Sequence, residues 1–514
     1  MKTLGDMETV LQGRGLLKAE AGRGFEEEKQ VRWLTCDSRN VEEGTLFICK
    51  GAAFRREYLQ QAVTRGCIAY VAEQIVETQP QIPGLIVRDI RKAMAVLSAA
   101  FFDYHPGKPV LTGITGTKGK TTTAWYLKAM LDLWAREQGN PETGLISTVE
   151  NYDGKRRVDA VMTTPEAPAL HELLANAVTS GARYVTMEVS SQALKYQRVK
   201  ELRFGVGIFL NISEDHISPQ EHEDFEDYFS SKLSIFRQTE TACVNLESDH
   251  AERILKAARK AGRTVTFGRR PEADLRCSQI RTEESGISFL VTCDRFSERF
   301  SLAMKGSFNI ENAMAAIAAA YVYGVPVSCM KQALQQTKVP GRMENFISAN
   351  GKICGIVDFA HNRLSFEKLF DAVYQEYRSY KKIITVFGCP GGKALNRRRE
   401  LGLIAGLFSD YVYITSDDPG MECPEKIGEE VQSYVEMTGC PCSLIEERQE
   451  AVGQAVRMAA AGAEKTLLLV LGRGSEKYQN IGGKALRYPT DAFLVENAIG
   501  EYDLHTARMA SGTV

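Results

Sequence analysis

The stretch Gly116-Thr117-Lys118-Gly119-Lys120-Thr121-Thr122 constrains this chain more than any other. It follows an apolar, strand-like run from Pro109 to Thr112 and opens onto a helix-like run at Ala124-Trp125-Tyr126-Leu127. Glycines in such a turn let the backbone curl until its N–H groups face one point, and the helix N-terminus adds a dipole that favours an anion. Lys120 would reach terminal phosphates and Thr121 could ligate magnesium, so the stretch reads as a loop for a nucleoside triphosphate. The commonest spacing of such loops would put the first glycine at Ile114, so this is the shorter GxxGKT form. The plain alternative is a glycine-rich turn with no ligand; the strand before and the helix after argue against it.

A chain of 514 residues exceeds one ordinary core, and about 100 to 200 residues per domain suggests three. Proline and glycine punctuation at His105-Pro106-Gly107-Lys108-Pro109 and at Val339-Pro340-Gly341-Arg342 divides it into 1–108, 109–338 and 339–514. Lys plus Arg number 63 against 65 Asp plus Glu, a net charge of −2. That balance asks for neither nucleic acid nor an anionic membrane, so small molecules are the expected partners. A monomer is the expected unit. No apolar run approaches the roughly 18 residues of a membrane span, and Met1 to Leu17 has polar interruptions that a signal peptide lacks. A cytoplasmic location is expected. The 12 cysteines are scattered, and Cys440-Pro441-Cys442 lacks the second pair and the histidines of a zinc site, so reduced, mostly buried thiols are expected.

The first hundred residues alternate helix-like and strand-like runs, as a small α/β domain would. The middle alternates strands with helices, the pattern of a mainly parallel sheet. Arg183 to Val189 and Phe204 to Asn211 read as strands that run out into Glu188, Ser190, Asn211, Asp215 and His216. Ligands of open α/β sheets bind outside the carboxyl ends of strands, so these groups should converge on the phosphate loop. A lone histidine is usually structural, and from the residues alone His216 fits that role and a ligand role about equally. Phe225 to Phe236 reads as an amphipathic helix with Phe225, Phe229, Leu233 and Phe236 on one stripe. Lys232 lies beside that stripe, where the plain expectation is a snorkelling lysine. Apolar runs at Ile383 to Gly388, Tyr411 to Thr415 and Thr466 to Leu471 predict a third, Rossmann-like α/β domain, with a disordered tail after Tyr502.

The phosphate loop, Met187-Glu188-Val189-Ser190-Ser191-Gln192-Ala193 and Asn211-Ile212-Ser213-Glu214-Asp215-His216 together resemble the Mur ligases. The likeness extends over nearly the whole chain. It includes Asp37-Ser38-Arg39, Lys50-Gly51-Ala52-Ala53, Thr163-Thr164-Pro165-Glu166, Gly306 to Asn312, Gly341-Arg342-Met343-Glu344, Asp358-Phe359-Ala360-His361 and Asp417-Asp418-Pro419. It is nearest to the branch that adds L-lysine as the third residue of the bacterial cell-wall peptide.

The resemblance implies roles residue by residue. Ser38 would touch the uridine nucleotide, and Thr163, Thr164, Ser190 and Arg198 would hold the muropeptide. Gly116, Thr117, Lys118, Gly119, Lys120, Thr121 and Thr122 would cradle ATP, with Asn309 and Asn312 near adenine and Arg342 and Asp358 closing over the nucleotide. Thr121, Glu188, His216 and Lys232 would serve Mg2+, Lys232 as a carbamate formed from CO2. Asp417, Asp418 and Glu476 would meet the incoming amino acid. His361 would orient or deprotonate its amine, or is structural. Phe359 stands in place of a tyrosine, Arg363-Leu364 in place of a small residue and an aspartate, and Arg473 in place of a lysine.

The implied reaction is ATP-dependent ligation. The D-glutamate carboxylate of UDP-N-acetylmuramoyl-L-alanyl-D-glutamate attacks the γ-phosphate, and the amine of L-lysine then attacks the acyl phosphate. Alternatives are a meso-diaminopimelate-adding ligase, a ligase like folylpolyglutamate synthetase, and an ATP-binding protein that has lost ligation.

Overall fold

The structure is a computed structural model that describes residues 2–21, 25–51, 54–105, 107–214, 217, 221–283 and 286–511. Ala52, Ala53, Pro106, Asp215 and His216, all drawn on above, lie outside the described residues. Two compact units are formed. The first comprises Met1–Lys120, Leu127–Phe267 and Ala315–Cys329; the second comprises Thr121–Tyr126, Gly268–Met314 and Met330–Val514.

Beside a two-stranded pairing of Lys2–Thr3 with Gln30–Val31, the first unit carries two larger sheets. The N-terminal one holds β1 (Leu17–Ala21), β2 (Trp33–Thr35), β3 (Thr45–Ile48), β4 (Cys67–Ala72) and β5 (Gly84–Val87) in the order β1-β5-β4-β3-β2. Only β1 runs antiparallel to its neighbour. Helix α1 (Ile90–Phe101) packs Ala93, Met94 and Leu97 into this core, and Asp89 caps its start by accepting from the amides of Arg91 and Lys92.

The central sheet is built around β6 (Val110–Thr115), which leads into helix α2 (Lys120–Glu137). Short strands β7 (Gly144–Ile146), β8 (Glu150–Tyr152) and β9 (Arg157–Asp159) follow, then α3 (Ala167–Thr179), β10 (Tyr184–Glu188) and the short α4 (Ser191–Lys195). Next come β11 (Phe204–Phe209), α5 (Phe225–Leu233), β12 (Thr239–Asn245) and β13 (Arg263–Gly268), giving the order β9-β8-β7-β10-β6-β11-β12-β13. Strands β7, β10, β6, β11, β12 and β13 are parallel, so β6 lies between β10 and β11 with all three carboxyl ends at one edge. Two-sided burial explains their nearly unbroken apolar sequences.

The second unit contains a three-strand antiparallel run of β14 (Leu275–Glu283), β15 (Gly286–Thr292) and β16 (Ser297–Leu302). Helix α6 (Asn309–Tyr323) begins in this unit. The C-terminal sheet comprises β17 (Glu344–Ile347), β18 (Ile353–Asp358), β19 (Lys382–Phe387), β20 (Tyr411–Ile414), β21 (Cys442–Leu444) and β22 (Thr466–Leu471), ordered β17-β18-β22-β19-β20-β21. All but β17 are parallel, the Rossmann-like pattern expected. Its helices include α7 (Arg363–Glu376), α8 (Arg448–Ala461) and α9 (Asp491–Ser511), and a hairpin of β23 (Tyr478–Ile481) and β24 (Lys484–Arg487) lies before α9.

Two expectations are corrected. From Tyr502 to Ser511 the chain is helical, because α9 buries Leu494, Val495 and Ile499 in the C-terminal core and continues to Ser511. Once a helix is nucleated, each added residue costs little, so polar and small residues extend it. Helix α5 ends at Leu233, a 3-10 turn over Ser234–Gln238 follows, and the helix's buried residues are Tyr228, Phe229 and Lys232. Lys232 therefore belongs to the buried face and does not snorkel; it is 1% exposed. Among the described residues no helix is long and apolar enough to cross a membrane, and the cysteines are free thiols, most of them buried.

Candidate active site

The phosphate loop leaves β6 at the centre of the parallel sheet. Gly116 has φ +152° and Gly119 φ +86°, the latter as the N-cap of α2. A Cβ on Gly116 would lie 2.8 Å from Cβ of Leu210, so this close turn admits only glycine. Residues far along the chain fix the loop. The amide of Thr117 donates to Asn211 O at 3.0 Å and the amide of Lys118 to Asn211 Oδ1 at 2.9 Å. Tyr228 Oη lies 3.1 Å from Thr117 Oγ1, and the Ser213 amide donates to the same hydroxyl at 3.1 Å.

Two lysines converge on the loop's own carbonyls. Lys120 Nζ donates to Gly116 O at 2.9 Å and to Thr117 O at 3.1 Å, and Lys232 Nζ donates to Gly116 O at 2.9 Å. Lys232 also lies 4.7 Å from the centre of the Tyr228 ring.

Glu188 ends β10 next to this loop, in register with Ile114, and is 1% exposed. Its carboxylate accepts from the Thr148 amide at 2.7 Å and from the Thr148 hydroxyl at 3.1 Å. Sequence reasoning missed Thr148, for which no local signal exists. Thr163, Thr164, Ser190 and Arg198 are brought together around Glu188. Thr163 Oγ1 lies 3.2 Å from the Thr148 hydroxyl oxygen, and Thr164 Oγ1 donates to Glu188 O and accepts from the Ser190 amide, each at 3.0 Å. Arg198 donates to Thr164 O at 3.1 Å and pairs with Glu166 at 3.1 Å. Ser38 is placed elsewhere in this unit, with its hydroxyl on Gln61 at 3.1 Å and its carbonyl accepting from Arg65 at 3.1 Å.

In the second unit, Arg342 Nη2 lies 3.4 Å from Thr121 Oγ1, and its guanidinium stacks 4.5 Å from the Phe359 ring centre. That contact uses an aromatic face, which phenylalanine supplies as well as tyrosine. Asp358 accepts from the amides of Met343 and Ala360, each at 2.8 Å. Asn309 and Asn312 are buried and bonded to each other at 3.0 Å, and Thr123 Oγ1 donates to Asn312 O at 3.4 Å. His361 Nδ1 is 2.6 Å from Phe359 O. A carbonyl can only accept, so Nδ1 carries the proton and Nε2 is the basic nitrogen.

An acidic group lies at the C-terminal sheet's strand ends. Asp417 is buried, and burial holds its carboxyl above the usual range despite Arg473. Glu476 is pushed up to about 8, by burial first and by Asp417 next, with Arg473 opposing. Arg473, wholly buried, lies 3.4 Å from Asp418 Oδ1 and 3.8 Å from Asp417 Oδ1, and donates to Tyr478 O at 2.7 Å. The hairpin strand β23 braces the same turn, with Gln479 donating to Asp417 O at 2.6 Å and the Asn480 amide to Asp418 Oδ1 at 3.0 Å. Arg363 is not part of this group; it is exposed and paired with Glu367 at 2.8 Å. His216 lies outside the described residues.

Residues 114–320 match the Mur ligase middle domain and residues 341–474 the Mur ligase glutamate ligase domain. The chain belongs to the Mur ligase family. It is 36% identical over 480 residues to the UDP-N-acetylmuramoyl-L-alanyl-D-glutamate--L-lysine ligase of Enterococcus faecalis, covering 92% of each chain. It is 33% identical over 458 residues to the UDP-N-acetylmuramoyl-L-alanyl-D-glutamate--2,6-diaminopimelate ligase of Caldanaerobacter subterraneus, covering 88% of this chain and 91% of that one. A Thermotoga maritima MurF ligase solved with ADP shares the fold, with TM-score 0.61, 17% identity and coverage of 92% and 99%. For this Mur ligase chain the glycine turn, the buried Glu188 and the acidic turn at Asp417 thus stand on one family fold.

Proposed function

We propose that this chain uses ATP to join L-lysine to the D-glutamate of UDP-N-acetylmuramoyl-L-alanyl-D-glutamate, in the cytoplasm. The excess of acid over base around Arg473 carries the choice of amino acid. Asp417, Asp418 and Glu476 gather around the buried Arg473 guanidinium, with Arg448 acting on Asp417 and Lys393 on Glu476 from further off. A lysine ε-ammonium relieves that imbalance, whereas the extra carboxylate of diaminopimelate adds to it.

The loop amides of Gly116 to Thr122 and the N-terminus of α2 suit the ATP phosphates, and Lys120 is placed to move from the loop's carbonyls onto them. By the family resemblance, Asn309, Asn312, Arg342 and Asp358 would also serve the nucleotide. Attack by the substrate carboxylate on the γ-phosphate expels ADP and gives an acyl phosphate. The lysine amine then attacks the acyl carbon, and inorganic phosphate leaves. The loop's donors stabilise charge on the transferring group. Thr163, Thr164, Ser190 and Arg198 would hold the muropeptide, with Ser38 on its uridine end. His361 would orient the amine or take its proton.

The donor set fits magnesium, which prefers hard oxygen ligands. Glu188 supplies a buried carboxylate and Thr121 a hydroxyl, and a carbamate on Lys232 would supply another oxygen. Carbamylation adds CO2 to the neutral amine with loss of a proton, and the product keeps one N–H for Gly116 O. It also turns a cation that shares Gly116 O with Lys120 into an anion beside it. Magnesium, when bound, neutralises charge on the phosphates.

The test is phosphate release by the purified chain with ATP, UDP-muramoyl dipeptide and L-lysine. Release that requires all three supports the reading, and nucleotide binding without any ligated product sinks it.

A further inference from the structure

A row of side chains, buried at Ser191 and His222 and half-buried at Asp227 and Lys195, ties α4 to α5, and the chemistry above makes no use of it. His222 is wholly buried; its Nε2 lies 3.0 Å from Ser191 Oγ and its Nδ1 3.0 Å from Asp227 Oδ2. Asp227 Oδ2 also accepts from Lys195 Nζ at 2.6 Å and from the Glu223 amide at 3.2 Å. Lys195 in turn donates to Glu221 O at 3.0 Å. Burial pushes the His222 pKa down, with Asp227 opposing, so the ring is neutral. A carboxylate only accepts, so Nδ1 carries the proton and Nε2 accepts the Ser191 hydroxyl.

Serine, histidine and aspartate in this order make up a nucleophilic triad in hydrolases. Here the hydroxyl is enclosed, since Ser191 is 4% and His222 0% exposed, so no acyl donor reaches it. Metal ligation is excluded too, because both ring nitrogens are engaged. What remains is mechanical. Ser191 directly follows Ser190, which caps α4 and contacts Thr164. Asp227 stands in the first turn of α5, and Lys232 lies five residues on, about 7.5 Å along the axis at 1.5 Å per residue. The row pins α4 at both ends, Ser191 and Lys195, to the start of the helix that aims Lys232 at Gly116 O.

We propose that His222 is a positioning residue that sets α4 against α5, so that Ser190 and Lys232 are held in one ligation-competent geometry. This rests on the reading of Lys232 as part of the nucleotide-side machinery. Groups that hold a site's working side chains in this indirect way typically contribute about 10- to 100-fold in activity.

The test compares full-length Ser191→Ala, His222→Asn, His222→Ala and Lys232→Ala enzymes. His222→Asn keeps a donor for Asp227 and loses the Ser191 bond; Ser191→Ala removes that bond alone. Both therefore stay informative if His222→Ala fails to fold. The expected result in both is a kcat about 10- to 100-fold lower, with KM for ATP unchanged and melting near that of the wild type. The Lys232 carbamate signal in 13C NMR of the nucleotide-free protein under 13CO2 should weaken in parallel. Unchanged kcat and carbamate signal in both variants would overturn the proposal, as would a lowered melting temperature with unchanged kcat. Wild-type turnover by Lys232→Ala would overturn the reading of Lys232 and the proposal with it. If Lys232→Ala is inactive while the wild type shows no carbamate signal, carbamylation fails, and kcat of the two variants decides the role of His222.

Discussion

Lys120 and Lys232 donate to a single oxygen, the carbonyl of Gly116, each from 2.9 Å. One side chain comes from the start of α2 and the other from α5, and both are directed onto the turn where phosphates would lie. Two ammonium groups on one acceptor repel each other, so the arrangement favours a ligand or modification that brings negative charge.

Lys120→Ala should lower turnover by about 100-fold or more, because it removes a donor from the transferring phosphoryl group. Melting should stay near that of the wild type, since the side chain fills no core. Steady-state assays beside thermal melts check both halves, and wild-type turnover would exclude this loop as the ATP site.

Lys232→Ala should be nearly inactive and should regain part of its activity when formate or acetate is added. The carboxylic acid stands in for the carbamate oxygen. Rescue by chloride at equal ionic strength would instead assign the effect to salt.

Glu476 titrates near 8 in the folded chain against an ordinary value of 4.5. Between those values the native state holds a proton that the unfolded chain has lost, so stability falls as pH rises through that window. Glu476→Gln should therefore match wild-type stability below the window and exceed it above pH 8. In the wild type, KM for lysine should fall as pH rises toward 8, because deprotonated Glu476 attracts an ammonium; in Glu476→Gln that dependence should vanish.

L-Lysine should exceed meso-diaminopimelate in kcat/KM by about 100-fold or more, since the additional carboxylate would meet the acidic group unpaired. Arg363→Gly should leave the ratio unchanged, because Arg363 is held by Glu367. A diaminopimelate preference would show that Arg473 turns from the aspartates to the substrate.

Arg448 and Asp491 form a fully buried two-bond pair at 2.6 and 2.8 Å, and Asp491 also accepts from the Gly474 amide at 3.0 Å. Removing one partner strands the other charge, so Arg448→Met should cost about 3–5 kcal/mol. Denaturant titration of the C-terminal unit's signal measures it. The turn that carries Arg473 and Glu476 should loosen as well, raising KM for the amino acid.

Much of this architecture was legible because β6, β10, β11 and β22 are buried on both faces, and their apolar runs end where polar residues begin. The phosphate loop was legible for a different reason, since its glycines answer a local backbone demand. The burial of Lys232 was not legible. The apolar spacing of Phe225, Phe229 and Leu233 marks one stripe, but Tyr228, pulled in by Thr117, rotates the buried face toward Lys232. Arg473 stood out only as a departure. That it serves Asp417 and Asp418 depends on contacts across more than fifty positions of sequence, which no local pattern encodes. The helical tail was misread because its polar residues follow a buried stretch that does the nucleating.

The phosphate loop takes its shape from Asn211, Ser213 and Tyr228, which lie 93, 96 and 111 positions further on. During synthesis the nucleotide motif therefore leaves the ribosome long before the groups that brace it. Until Tyr228 emerges and β11 has docked beside β6, a growing chain carries the glycines and lysines in order but not the curl that gathers phosphates. Nascent chains and fragments ending before Asn211 should thus be blind to ATP, and the cell is spared half-made ligases that bind a nucleotide they cannot use.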